Sequence, residues 1–401
     1  MDETPEAHDA AAADVDSDAA AAGPTMEARL TGPIAGIEAA IWDRLCPDDN
    51  PFLRHAFLQA LEGSGSAVAE SGWQPLHIVL GDSAQPHAAA PAYVKGHSYG
   101  EYVFDHGWAN AYERAGGSYY PKLLVAVPFT PVPGPRLLAE DAHGKAALAA
   151  AIRLATDQLG LSSAHVNFID EAEAEVLEAA GFLGRVGVQF HWHNRGYGDF
   201  EDFLGTMRSA KRKAIKKERR EVERAGLEIR TTTGAELTPA DLDAFYPFYL
   251  ATVDKRWGSA YLTRDFFRRL GTSFAERIVL ITARQDGELV AGALNLRSGD
   301  TLYGRLWGSL QDFDFLHFEA CYYRAIDFAI AHGLARVEAG AQGMHKLQRG
   351  YEPVLTRSAH YIRDPGLAVP VRRFLAQERR SLEHEMQELR ALLPFHREHR
   401  D

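Results

Sequence analysis

Residues 277–309 read RIVLITARQDGELVAGALNLRSGDTLYGRLWGS, three apolar runs of strand length, the first two joined by Asp286-Gly287. An Asp-Gly pair between such runs is the signal for a two-residue hairpin, because both central residues of that turn need positive φ. Next, HFEACYYRAIDFAIAHGL (317–334) is apolar around much of its circumference, which predicts a buried helix ended by Gly333. ARVEAG (335–340) then reads as a short interior strand. The order in this part of the chain is strand, turn, strand, strand, helix, strand.

The first half carries the same order. LHIVL (76–80), APAYVKG (90–96) and YGEYVFD (99–105) have strand character, and WANAYERAG (108–116) has the spacing of a short helix. KLLVAVPF (122–129) is a strand, TPVPGP (130–135) a turn, HGKAALAAAIRLATDQLG (143–160) a helix and AHVNFID (164–170) a strand. Two such units predict an α+β fold from tandem duplication, each module a twisted mixed sheet with helices on its faces. The expected divisions are a tail at 1–28, a first module at 29–195, a second at 196–370 and a C-terminal helix at 371–401. That helix, VRRFLAQERRSLEHEMQELRALL (371–393), sets Leu375, Leu382, Met386, Leu389 and Leu393 on one side. Such a stripe docks on the body or pairs with a second chain, so monomer and homodimer both stay open.

Composition bounds the class. At 401 residues, two domains are the natural prior, and 46% hydrophobic with 24% charged residues is ordinary for a globular protein. No run approaches the roughly 18–20 apolar residues that span a bilayer. The first 25 residues hold seven acidic side chains, nine alanines and no Lys or Arg, the opposite of a signal peptide, and read as an uncleaved disordered tail. Without those charges the formal net charge of -12 falls to about -5, so charge says little about partners. Cys46 and Cys321 stand far apart with no metal-ligand spacing, which predicts a reducing, cytoplasmic setting and no metal site.

A set of long motifs carries a resemblance. These are SYGEYVFDHGWANAYERAGGSYYPKLLVAVPFTPVPGPRLL (98–138), SSAHVNFID (162–170), QFHWHNRGYGDFEDFLGTMRSAKRKAIKKERR (189–220) and DKRWGSAYLTRDFF (254–267). FLHFEACYYRAIDFAIAHGL (315–334) and AGAQGMHKLQRGYEPVLTRSAHYI (339–362) complete it. Together they resemble the FemAB-like proteins, described as acting in peptidoglycan biosynthesis or recognition and built from two GNAT-type modules. The resemblance runs from about residue 35 to 395. It implies an N-acyl or N-aminoacyl transfer in which an amine of a small molecule or peptide attacks an activated carbonyl. It also implies a co-substrate donor, aminoacyl-tRNA or acyl-CoA, with no permanently bound cofactor.

Amine acylation needs a neutral acceptor nitrogen, a group to take its proton and donors near the developing oxyanion. The richest candidate is VEAGAQGMHKLQRGYEP (337–353), in which Glu338 ends a strand and Gly340, Gly343 and Gly350 surround Gln342, His345, Lys346 and Arg349. His345, Glu338 and Lys346 are the catalytic candidates, with Gln342, Gly343, Arg349 and Trp307 as substrate contacts. The plain alternative is a polar loop salt-bridged to Glu338. On the helix, His317, Cys321 and Arg324 share a face, which allows a Cys-His acyl-enzyme or simply a small core cysteine. Glu319 is either an ion-pair partner or a site carboxylate.

Glu101, Asp105, Trp108, Tyr120 and Lys122, with His106 and Tyr119, suit a polar pocket at the module interface, as do Lys255, Arg256, Trp257 and Tyr261. A GNAT pyrophosphate loop precedes the helix after the fourth strand. There the second module reads WGSLQDFDFLHF (307–318), whose Asp312 and Asp314 disfavour acyl-CoA; the comparable stretch of the first module is taken as FDHGWAN (104–110). Between the modules, MRSAKRKAIKKERREVERAG (207–226) carries nine basic and three acidic residues from Arg208 to Arg224. Lys211, Arg212, Lys213, Lys216, Lys217 and Arg220 are candidates for tRNA phosphates; the alternative is a solvated helix with internal Glu-Arg pairs.

Overall fold

The computed structural model describes residues 27–82, 85–255, 258–340 and 343–396, so all but the end of the expected N-terminal tail lies outside the described residues. The strands of the first half are β1 (Ala28–Thr31), β2 (Trp73–Pro75), β3 (His77–Gly81), β4 (Pro86–Ala90), β5 (Ala92–Lys95), β6 (Lys122–Val125), β7 (Leu138–Ala139), β8 (Ser163–Ile169) and β9 (Leu183–His193). The second half supplies β10 (Glu228–Thr233), β11 (Ile278–Gln285), β12 (Glu288–Arg297), β13 (Thr301–Ser309), β14 (Arg336–Glu338) and β15 (Glu352–Ile362).

Eleven strands form one mixed sheet in the order β10-β11-β12-β13-β14-β9-β15-β8-β6-β5-β2. The modules are joined by exchange. β9 pairs with β14 of the second half, and β15 returns to pair with β8 of the first. β9 and β15 also pair with each other over nine residues, closing the seam. The first module's hairpin bends where Pro91, lacking an N–H, interrupts its second arm, and β3 and β4 continue into a separate sheet β1-β3-β4-β7.

The hairpin expected at Asp286-Gly287 is present: the two residues have φ of 52° and 85°, and Gln285 faces Glu288. YGEYVFD is not a strand. Gly100 and Tyr102 take φ of 80° and 61°, turning the chain out of the sheet after Lys95 and carrying Glu101 and Asp105 over Lys122. The helix after the first module's fourth strand, β6, is Ala142–Gln158, so the segment comparable to a pyrophosphate loop is 126–141, not 104–110.

Apolar packing crosses the halves. Trp42, Phe52 and Phe57 of the N-terminal helices share one core with Phe266, Phe267 and Tyr303. The C-terminal helix, Pro365–Ala391, is capped by Asp364 onto Gly366 N and buries Leu367, Val371, Leu375, Met386 and Leu389 against the body. Each such burial contributes about 2 kcal/mol. The stripe therefore docks within this chain. Among the described residues no helix is long and apolar enough to cross a membrane.

Candidate active site

In each module two parallel strands pair briefly and then diverge. β13 and β14 pair only from Thr301–Arg336 to Tyr303–Glu338, and no further backbone bond joins β13 to the described chain after Glu338. β6 and β8 likewise pair only from Leu123–Ala164 to Val125–Val166. Beyond that point the first module fills its own wedge. Gly134 N donates to Phe168 O at 2.9 Å, taking the strand edge that β6 leaves. Gln189 Nε2 binds Pro131 O at 2.7 Å, and the Arg136 guanidinium, 1% exposed, donates to the carbonyls of Val132, Gly134 and Pro135.

In the second module the wedge is lined instead by ionisable groups. Glu338 is buried at its apex; Arg336 Nε donates to Oε1 at 3.2 Å, while Oε2 has no hydrogen-bond partner among the described residues and lies 3.8 Å from His191 Nε2. Burial pushes the carboxyl up to about 7 against the pull of Arg336, and burial pushes the His191 imidazole down to about 3, so it is neutral. Lys346 is buried with Nζ donating to Gly340 O at 2.9 Å, and burial lowers its ammonium to about 8. Among the described residues no salt bridge joins this loop to Glu338, as the plain alternative would require, and the lysine turns to a carbonyl instead.

His345 stands on the other side of the loop. Its Nε2 is 2.7 Å from Tyr322 OH, its ring packs on His317 and Phe318, and partial desolvation, with Arg349 and Lys346 nearby, lowers its pKa. His317 also contacts Trp307, at 5.5 Å between ring centroids. Both line a cleft of about 300 Å³ with Thr252, Lys255, Asp312 and Phe313. A larger groove, about 650 Å³, lies beside Arg54 and Arg277, away from these groups.

Arg349 and Glu319 are tied into the scaffold. Arg349 donates to both oxygens of Glu218 and to Tyr323 OH, and stacks 3.4 Å from the Phe318 ring centroid. Glu319 Oε1 accepts from Arg219 at 3.1 Å and from Arg324 at 2.8 Å. The i,i+5 pair with Arg324 is permitted by a π-helical turn over Glu319–Tyr323, which widens the helix by one residue. The ion-pair reading of Glu319 therefore holds. Cys321 is half-buried and its thiol pKa is raised far by desolvation, so it offers no thiolate for an acyl-enzyme.

These pairs also fix the basic helix, Ser209–Arg224. It buries Ile215 and Val222 and uses Glu218 and Arg219 to grip the helix beneath. Lys213, Lys217 and Arg220 point to solvent; Lys211, Arg212 and Lys216 are half-buried, and Lys216 pairs with Glu201 at 2.5 Å.

The first-module candidates form a closed charge cluster. Lys122 Nζ donates to Glu101 at 2.8 Å, to Ser98 Oγ at 2.7 Å and to Asp105, and Tyr119 OH donates to Asp105 at 2.8 Å. Tyr120 OH is 2.9 Å from Ser98 Oγ, and Trp108 stacks over His165. Burial drives Glu101 up to about 7; against burial, Lys122 draws Asp105 below the usual carboxylate range. Sequence reasoning missed Lys95 and His165, which complete the cluster. Each is a polar residue in an apolar strand, the one signal that could have pointed to them. Tyr261 is 38% exposed and stacks on Phe129 at 5.2 Å, whereas Arg256, Trp257 and Gln342 lie outside the described residues. Gly343, with φ of 117°, begins the turn that carries His345.

The FemAB-like sequence signature, described as peptidoglycan biosynthesis/recognition, matches residues 33–397. The chain belongs to the FemAB-like family. No curated protein matches it. Among solved structures it is similar to FemX, at 12% identity over 84% of this chain and 98% of that one, with a TM-score of 0.53. The C-terminal domain of a lysylphosphatidylglycerol synthetase, itself named as putative, from Agrobacterium fabrum is similar at 10% identity over 86% and 96%, with a TM-score of 0.52. At such identities the likeness is one of fold alone, an α+β architecture on a mixed sheet.

Proposed function

We propose that this FemAB-like protein is an N-acyltransferase that moves an aminoacyl or acyl group from an activated donor to an amine in the second module's wedge. The carrying observation is Glu338, a buried carboxylate with one oxygen unpartnered among the described residues and a pKa of about 7 where β13 and β14 part. A base poised near neutrality accepts the proton that the attacking amine must lose. Lys346, held at about 8, supplies a cation in a desolvated setting where it offsets developing oxyanion charge. His345, bonded to Tyr322 across the loop, is better suited to position the donor than to take the proton.

Aminoacyl-tRNA is favoured over acyl-CoA as donor. The segment leading into the helix from Leu316 carries Asp312 and Asp314, whose charge opposes a pyrophosphate, and Lys255 is paired with Asp312 at 2.6 Å. The exposed cations Lys213, Lys217 and Arg220 lie on one helix face, suited to a phosphate backbone. Binding of charged tRNA, uncharged tRNA and acyl-CoA, measured side by side against salt, tests this reading. Salt-steep tRNA binding that falls on converting those three cations to glutamine is the expected result. Acyl-CoA binding alone would overturn the donor assignment.

A further inference from the structure

We propose that Arg305 is the anchor for an oxyanion, a carboxylate or phosphate, carried by the amine acceptor. The inference rests on the acyl-transfer reading of the Glu338 wedge and deepens it.

Arg305 is placed by a fault in the strand. Leu306 faces Leu294 and Gly304 faces Asn295, so Arg305 is the extra residue of a β-bulge, the device by which a strand re-aims one side chain. It turns toward the first module, with one guanidinium nitrogen 2.5 Å from Phe129 O and the Phe52 ring 5.4 Å away. Among the described residues that contact is the only hydrogen bond of its five N–H donors, and it has no ion pair within 4.0 Å. Its neighbours are otherwise committed: Arg336 pairs with Glu338 and Asp300, and Arg349 with Glu218. A desolvated guanidinium with spare parallel donors is built to take a planar or tetrahedral oxyanion.

The surroundings fit an acceptor entering between the modules. Tyr102, 36% exposed, lies close enough to act electrostatically on Arg305, Tyr249 and Tyr261. Tyr102 and Phe129 both hold positive φ, 61° and 56°, so the first module presents them in a fixed, strained form. Arg305 also feels the charge of Glu338, and the adjacent Gly304 runs beside the Glu338 backbone, where an added Cβ would sit 3.4 Å from its carbonyl.

The test is calorimetric titration of the protein with N-acetylglycine, N-acetylglycinamide and inorganic phosphate, with Arg305→Gln, Arg305→Lys and Glu338→Gln compared by melting curve first. We expect N-acetylglycine or phosphate to bind wild type and Glu338→Gln, the neutral amide not to bind, and Arg305→Gln to weaken the oxyanion at least tenfold. Arg305→Lys should recover part of that loss. Whichever of the two oxyanions binds more tightly identifies the source of the charge. Equal binding by wild type and both Arg305 variants, or binding of neither oxyanion, overturns the proposal. The two readings fail separately: Arg305-dependent binding without transfer from any donor sinks acyl transfer alone, and Glu338-dependent transfer indifferent to Arg305 sinks the anchor alone.

Discussion

The two wedges of this molecule start from the same three-residue pairing of parallel strands and end differently. In the first module, residues 126–137 fold back, Gly134 takes the vacant edge of β8, and Glu173 accepts from the backbone of Arg136 and Leu137 at 2.8 Å. In the second, β14 stops after three residues and leaves Glu338, Lys346 and Arg305 around the divergence. In the first wedge Arg136 meets the carbonyls of Val132, Gly134 and Pro135, and Gln189 meets that of Pro131. The first wedge is thus closed by its own chain, whereas the second leaves Glu338 Oε2 without a hydrogen-bond partner among the described residues.

The largest expected effect comes from Glu338→Gln, which should lower kcat/KM for transfer about 10²–10⁴-fold, in steady-state assays, without lowering the melting temperature. Lys346→Met sharpens the contrast through pH. The lysine falls from an ordinary 10.5 to about 8 on folding, so the folded form resists its charge. Stability is full above pH 10.5, declines as pH falls toward 8 and stays lower beneath it, a span of about 3 kcal/mol. Urea midpoints at pH 8 and pH 10 should differ in wild type, and that difference should shrink in the methionine variant.

Glu319→Ala removes the acceptor shared by Arg219 and Arg324 and should cost about 2 kcal/mol by denaturant titration, less than a fully buried pair because Asp327 still holds Arg219. The smallest effect tests the filled wedge. A Cβ on Gly134 would sit 2.5 Å from Asn50 Nδ2, so Gly134→Ala should cost about 1 kcal/mol. Turnover per folded molecule should be unchanged, which gel filtration followed by activity assay would check.

Much of the fold was legible in local pattern. The Asp286-Gly287 turn, the helix ended by Gly333 and the duplicated element order all follow from periodicity and turn chemistry acting over a few residues. The exchange of β9 and β15 was not, since pairing partners some 160 residues apart leave no local trace. YGEYVFD misled for a related reason: its aromatic run has strand propensity, but Lys122 draws Glu101 and Asp105 inward and bends the chain. At the site, Glu338 and Lys346 could be singled out by residue type. Arg305 could not, because its meaning comes from a bulge and from having no ion pair within 4.0 Å among the described residues, both properties of the assembled sheet.

The most direct measurement is the pH dependence of kcat/KM for transfer from aminoacyl-tRNA to a peptide amine, in wild type and Glu338→Gln. A rise governed by an apparent pKa near 7 in wild type, absent from the variant, is the predicted result. Profiles of the same shape and height in both proteins would contradict the assignment of Glu338 as the base.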